Sequence, residues 1–259
     1  MIKINKKIIA FDLDGTLAES KQHLEGDMSE LICLLAKEKI VVIITGGSFE
    51  QFKKQFLPFL KISDNDEFIV YKNLILLSTS GSQRYQYDEK SKDWIMTDIK
   101  EFPEGVKNDV IKSLNNIISS SNYDIGSVVE GDMVIEDRLT QITMSALGQH
   151  APIELKKLWD PEQVKRQEIK RLLESELPDV SIIIGGTTSL DILPKGFDKA
   201  KGLIRLLNKL EMTKEDMIFM GDAIFPGGND YSVYEAGIES IKVSGPIESK
   251  EIIKNWIGL

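Results

Sequence analysis

Residues 8–16 read IIAFDLDGT, an apolar run ending in two aspartates, a glycine and a threonine. A short run that is apolar throughout fits a strand buried on both faces. The Asp12-Leu13-Asp14-Gly15-Thr16 loop then lies at the carboxyl end of that strand, where open α/β sheets bind their ligands. Residues i and i+2 can point the same way as a strand ends, which brings the carboxylates of Asp12 and Asp14 together. Such a pair suits Mg²⁺, an ion that prefers oxygen ligands and keeps several waters. A carboxylate can also attack a phosphoryl group and form an aspartyl-phosphate. The same residues are compatible with an ordinary turn carrying two solvated aspartates, because Asp and Gly are frequent turn formers.

Outward from that loop the grammar repeats. A helical pattern at 28–39 places Leu31, Leu34 and Leu35 on one face, a second apolar run, IVVII, covers 40–44, and a helix is expected at about 48–57. Strand–helix–strand alternation predicts a parallel sheet. The last seventy residues return to this pattern, with an amphipathic helix at 198–210, strands at 217–220 and 240–243, and a helix at 248–257. The middle differs. Residues 84–97 alternate and turn like a hairpin, and helical patterns near 104–120 and 161–176 interleave with β-type segments at 126–136, 139–145, 180–184 and 189–193. Close-spaced segments of this kind predict an antiparallel sheet with helices on one face. The expected fold is α/β: a Rossmann-like parallel core with helices on both faces, formed by 1–81 and 189–259, with an α+β cap domain inserted at 82–188.

Composition bounds the function. With 259 residues, 42% hydrophobic and 28% charged, the chain can bury a core and is neither disordered nor fibrous. No uncharged apolar stretch reaches the ~18 residues of a membrane span, and the N-terminal apolar run breaks at Asp12, unlike a signal peptide. A net charge of −9 disfavours a nucleic-acid partner. The one cysteine, Cys33, sits in an apolar helical pattern and reads as a buried structural thiol. A cytoplasmic protein is expected.

Other segments supply chemistry at the same sheet edge. Thr45 and Gly46, in the TGGS turn after 40–44, offer a hydroxyl and unhindered backbone N–H groups, an arrangement suited to an anion. Asp222 follows the strand at 217–220, the Pro226–Asp230 loop adds another carboxylate, and Lys199 opens a helix. A lysine there can neutralise charge developing on a phosphoryl group.

In this order, DLDGT (12–16), Thr45, Lys199 and Gly221-Asp222 with Asp230 resemble the four motifs of the haloacid dehalogenase superfamily of phosphotransferases. The resemblance implies that Asp12 is the nucleophile and Asp14 the general acid/base. It implies that Thr45 and Lys199 hold the transferring phosphoryl group. It further implies Mg²⁺ bound by Asp12, the main-chain carbonyl of Asp14, and Asp222, with Asp230 as a ligand or a residue supporting the ligands. The stretches GDAIFPGGND (221–230), GGSFEQFKKQF (46–56) and GGTTSLDILPKGFDK (185–199) are similar to subclass IIB members, the eukaryotic-type phosphomannomutases. In that family an inserted cap binds a hexose phosphate. By this resemblance Ser189 and Asp191 touch sugar hydroxyls and Arg138 holds the distal phosphate. Relatives of this kind also dimerise through the cap.

The match departs from the family at defined positions. Gln149 stands where a cap arginine is expected, Ile153 or Lys156 where another is, and Lys21 replaces an arginine that follows the first motif. An Arg fork holds phosphate bidentately, whereas Lys contributes a point charge and Gln none. His150, Lys156 and Lys157 are the side chains available to compensate. A mutase must hold either end of a bisphosphate, while a phosphatase needs one productive orientation. The expected function is therefore a Mg²⁺-dependent phosphatase acting on a hexose phosphate or similar small phosphate, with a small phosphorylated sugar as the expected partner. A phosphomannomutase is the alternative and a non-catalytic phosphosugar-binding protein the third reading. His23 reads as an exposed loop residue, and Trp94, Trp159 and Trp256 as packing anchors.

Overall fold

The computed structural model describes residues 4–120 and 122–259. In chain order, β1 (Ile8–Asp12), α1 (Gly26–Ala36), β2 (Ile40–Ile44), α2 (Phe49–Gln55), α3 (Glu67–Asn73) and β3 (Leu74–Ser78) lead into a hairpin of β4 (Gln83–Asp88) and β5 (Asp93–Ile99). Then come α4 (Val106–Ser119), β6 (Ile135–Asp137), β7 (Ile142–Ser145), α5 (Ile153–Trp159), α6 (Val164–Glu176), β8 (Val180–Gly185) and β9 (Ser189–Pro194). The chain closes with α7 (Lys199–Lys209), β10 (Met217–Gly221), α8 (Tyr231–Glu235), β11 (Glu239–Lys242) and α9 (Pro246–Ile257). These elements form two compact units. The first runs to Ile99 and resumes at Lys199; the second is Lys100–Asp198.

The first unit is a seven-stranded sheet in the order β11-β10-β1-β2-β3-β4-β5. Pairing is parallel from β11 to β3 and antiparallel across β4 and β5. Alternate side chains of each central strand feed opposite cores, as the two-residue period of a strand demands. Ile9, Phe11, Val41, Ile43, Leu74, Leu76, Ile218 and Met220 pack beneath α1, α2 and α9. Ile8, Ala10, Val42, Ile44, Ile75, Leu77, Met217 and Phe219 pack beneath α7 and α8. This is why β1, β2 and β10 read as apolar runs without alternation. Helix α7 sits directly on the turn after β3: a Cβ at Gly202 would lie 2.7 Å from Gly81 Cα, so only glycine permits the approach.

The second unit is an antiparallel sheet, β6-β7-β9-β8. Ile142, Met144, Ile182, Leu190 and Ile192 from one face pack against Val110 and Leu114 of α4 and Ile169 and Leu173 of α6. The opposite face carries Thr143, Ser145, Ser189 and Asp191, alternating with those apolar residues along β7 and β9.

Several expectations change. The hairpin expected in the insert belongs to the first unit, because β4 pairs with β3 through Leu76–Tyr85 and Leu77–Arg84. The unit boundaries therefore fall at 99/100 and 198/199 instead of 81/82 and 188/189. Alternation identifies a strand but not its partner. Of the β-type segment expected at 126–136, only Ile135 and Glu136 lie in a strand, β6. Leu34 is 40% exposed while Leu31 and Leu35 are buried, so the apolar face of α1 is narrower than its spacing implies. Helices α3 and α5 and strand β3 lie outside the segments expected from sequence. Trp94, Trp159 and Trp256 each pack against a core cluster. No helix among the described residues is long and apolar enough to cross a membrane.

Candidate active site

The carboxyl ends of β1, β2 and β10 carry Asp12, Thr45 and Asp222 at one edge of the first unit's sheet. Asp12 is the last residue of β1 and is buried. The chain then turns through Gly15, whose φ of +78° suits glycine, and a Cβ there would fall 2.6 Å from Asp222 Oδ2. The open side of Gly15 is what lets the loop after β10 come so close to the loop after β1.

Lys199, the first residue of α7, reaches into this edge. Its Nζ donates to Asp12 Oδ1 at 2.6 Å and to Asp230 Oδ1 at 2.6 Å, with all three side chains buried. Asp230 precedes α8, and its Oδ2 accepts the Ala223 N–H at 3.1 Å, fixing the loop that follows Asp222. Asp230 is thus a partner of Lys199, and its carboxylate also lies in the acidic trio with Asp12 and Asp222.

The electrostatics are lopsided. Carboxylate oxygens of Asp12, Asp222 and Asp230 lie within 4.8 Å of one another, with one ammonium among them. Burial drives the Asp12 carboxyl well above the usual carboxylate range; Lys199 opposes this, and Asp230 and Asp14 add to it. Burial, with Asp230 next, likewise raises the Asp222 carboxyl, and Lys199 partly offsets this. Burial alone would lower the Lys199 ammonium, but Asp12 and Asp230 reverse it and hold the group protonated. Clustered oxygen donors with surplus negative charge match the donor set of a hard divalent cation. The residues present therefore fit a metal ion.

A second network joins Asp14 to Thr45. Asp14 Oδ1 accepts the Lys21 N–H at 2.7 Å, and Asp14 Oδ2 accepts the Gln51 Nε2–H at 2.5 Å. The Thr45 hydroxyl donates to Gln51 Oε1 at 3.0 Å and accepts the Gly47 N–H at 3.1 Å. The turn after β3 braces this loop: the N–H groups of Thr79 and Ser80 donate to the carbonyls of Gly47 and Thr45, and Gly46 adjoins both. Lys21 contributes its main chain here, and its side chain is exposed. Gln51, in the first turn of α2, lies within the stretch GGSFEQFKKQF (46–56) but has no role assigned from sequence, since a lone glutamine on a short helix carries no motif signal.

In the second unit, β7 and β9 place Ser145 opposite Ser189 and Thr143 opposite Asp191. The two serine hydroxyls lie 3.0 Å apart, and Gln149 Nε2 donates to Ser145 Oγ at 2.9 Å. Thr143 donates to Asp191 Oδ1 at 2.7 Å and accepts from Gln141 Nε2 at 3.0 Å. Arg138 pairs with Glu136 at 2.6 Å. Two of the side chains available to replace missing arginines are engaged too, and the third, Lys157, is exposed. Buried Lys156 donates to the Gln149 carbonyl at 2.6 Å, and His150 Nδ1 lies 3.1 Å from Asp132 Oδ1. His23 stays exposed and stacks on Phe59, with ring centroids 4.6 Å apart.

Comparison with known proteins follows the same lines. A sequence profile described as haloacid dehalogenase-like hydrolase matches residues 9–236. A phosphomannomutase of Drosophila melanogaster is 24% identical over 264 residues, covering 100% of this chain and 98% of its own length. A phosphomannomutase of Encephalitozoon cuniculi is 27% identical, covering 95% of this chain and 91% of its own length. Among solved structures, a C-terminally truncated IMP-nucleotidase of Plasmodium falciparum superposes with a TM-score of 0.71 at 18% identity, covering 98% of this chain and 72% of that one.

Proposed function

This chain belongs to the haloacid dehalogenase-like hydrolases, and on that premise we propose that it is a Mg²⁺-dependent phosphatase of hexose phosphates or similar small phosphates, working through phosphorylated Asp12. The reading rests on Lys199, which holds the buried Asp12 carboxylate against a second carboxylate, Asp230, at the sheet edge.

In the first half-reaction an Asp12 oxygen attacks phosphorus, the bond from phosphorus to the sugar oxygen breaks, and Asp14 gives that oxygen a proton. In the second, water attacks the same phosphorus and loses its proton to Asp14. The bond to Asp12 breaks and inorganic phosphate leaves. Thr45 and the Gly46 N–H hold phosphoryl oxygens, and the Lys199 ammonium balances their charge. Asp12, the Asp14 carbonyl and Asp222 would hold Mg²⁺, with Asp230 orienting Lys199 beside them. When bound, the ion neutralises negative charge on the transferring group. In the second unit, the cap of this reading, Ser189 and Asp191 are the residues that would bond to sugar hydroxyls.

Hydrolysis is favoured over mutase activity by the neutral chain Ser189–Ser145–Gln149, where a second phosphate would need fixed cations. Lys156 donates to a backbone carbonyl from a buried position. Ser189, Asp191 and Arg138, together with the names of the relatives, favour the phosphomannomutase reading. Phosphorus NMR of mannose 1-phosphate with Mg²⁺ and a trace of hexose 1,6-bisphosphate separates the two. Inorganic phosphate is the expected product. Mannose 6-phosphate would establish the mutase, and no turnover across a panel of phosphosugars would establish a binding protein.

A further inference from the structure

Gln51 belongs to none of the four motifs, yet it is the side chain that links Asp14 to Thr45. Its Nε2 carries two hydrogens, and both are used: one goes to Asp14 Oδ2 at 2.5 Å and the other to Gln55 Oε1 at 2.8 Å. Its Oε1 accepts the Thr45 hydroxyl at 3.0 Å. The Asp14 bond fixes which end of the amide is nitrogen, because the carboxylate oxygen accepts there. Gln51 in turn needs the space left by Gly47, where a Cβ would lie 1.8 Å from Gln51 Oε1.

Two consequences follow from counting hydrogens. The Thr45 hydroxyl has one proton, and here it points at Gln51. A phosphoryl oxygen seated on Thr45 must take that proton, so Gln51 loses one partner when substrate arrives while its bond to Asp14 remains. Asp14, in turn, is held by one donor on each oxygen: the Lys21 N–H on Oδ1 and Gln51 on Oδ2. The first donor is fixed by the backbone. The second is a side chain whose removal frees the carboxyl to rotate. Proton transfer depends steeply on placement, since a displacement of about 1 Å can cost about a hundredfold.

We infer that Gln51 is a positioning residue that orients the Asp14 carboxyl, so that both proton-transfer steps depend on it while attack by Asp12 does not. This rests on the aspartyl-phosphate reading above.

The test compares Gln51→Met, which lacks both contacts, with Gln51→Glu, which keeps an acceptor for Thr45 but has no donor for Asp14. The substrate is p-nitrophenyl phosphate, whose leaving group departs without a proton. With enzyme in excess, nitrophenolate release should stay within about twofold of wild type in both variants, while steady-state turnover falls on the order of tenfold or more in both. For an alkyl phosphate such as mannose 6-phosphate, both phases should fall. Unchanged turnover in Gln51→Glu overturns the inference, because the Thr45 contact alone would then suffice. An equal loss of release and turnover in Gln51→Met also overturns it, since that pattern marks general damage to the phosphate loop. Thermal melting of each variant checks that the fold is intact. Nitrophenolate release by Asp12→Asn, or no hydroxylamine-sensitive phosphoenzyme in wild type, overturns the aspartyl-phosphate reading itself and the inference with it.

Discussion

The two units solve the problem of polar groups at a sheet in opposite ways. At the edge of the first unit, Asp12, Asp222 and Asp230 cluster and Lys199 bonds to Asp12 and Asp230, so charge is concentrated where solvent is scarce. On the sheet face of the second unit, Gln149, Ser145 and Ser189 bond in one chain, and Gln141, Thr143 and Asp191 in another, in which the Asp191 carboxylate accepts from the Thr143 hydroxyl. A buried charge cluster is stable only if each charge finds a partner, whereas a neutral network needs only matched donors and acceptors. The first arrangement suits handling a charged group; the second suits reading the pattern of hydroxyls on a neutral one.

The strongest way to break this contrast is Asp12→Asn. Turnover should drop by at least ~1,000-fold in a steady-state phosphate-release assay, and retained turnover would remove the nucleophile from the scheme. Next is Lys199→Met, which leaves the carboxylates without their ammonium. Breaking a buried pair should cost about 3–5 kcal/mol in denaturant unfolding without metal, and Mg²⁺ should recover part of that loss. A cost below about 1 kcal/mol would mean that the charge cluster is not under strain.

Metal and pH sharpen the same point. Burial raises Asp12 and Asp222, so the metal-free folded chain binds protons more tightly than the unfolded one. Those groups therefore cost stability as pH rises above the ordinary carboxylate range. Asp222→Asn should be more stable than wild type at neutral pH without metal, and should lose that advantage as pH falls through that range. Saturating Mg²⁺ should raise the wild-type melting point, with about 2.7 kcal/mol of stabilisation at a hundred times the dissociation constant. Asp222→Asn should show little of this shift.

Changes in the neutral network should be smaller. Ser145→Ala or Ser189→Ala should lower kcat/KM for a hexose phosphate about fivefold, the equivalent of one hydrogen bond of ~1 kcal/mol. Neither should alter p-nitrophenyl phosphate turnover. Gln149→Arg should tighten hexose 1,6-bisphosphate binding about tenfold by calorimetry; unchanged affinity would show that the missing arginine does not weaken that site. The smallest effect is expected at Cys33, whose thiol burial pushes up to about 11. Iodoacetamide at neutral pH should leave it unmodified while the chain is folded.

Much of the fold was legible in the sequence where burial on both faces leaves no freedom. IIAF, IVVII and MIFM could be strands of a covered parallel sheet and little else. The hairpin at 84–97 was also legible as a hairpin. Its membership in the first unit was not, because alternation specifies which side chains share a face and leaves the neighbouring strand open. The flanking β3 gave the answer only once paired with β4. In the site, Asp12, Asp14, Thr45, Lys199 and Asp222 stood out because their residue types recur after strand ends. Gln51 did not, because its importance lies in what surrounds its amide.

The sequence by itself determined the chemical inventory: acidic loops after apolar strands, a lysine opening an amphipathic helix, and a serine and an aspartate at alternating positions on a strand. Its order along the chain was enough to indicate phosphoryl chemistry. Only the tertiary structure decided which carboxylate Lys199 shares with Asp12, 187 residues away, and that this second partner is Asp230. It also decided that Asp14 takes its second donor from Gln51, 37 residues on. The reason is geometric. A strand or a helix fixes the direction of a side chain relative to its own backbone, and only the pairing and packing of elements fix which side chains come within hydrogen-bonding distance.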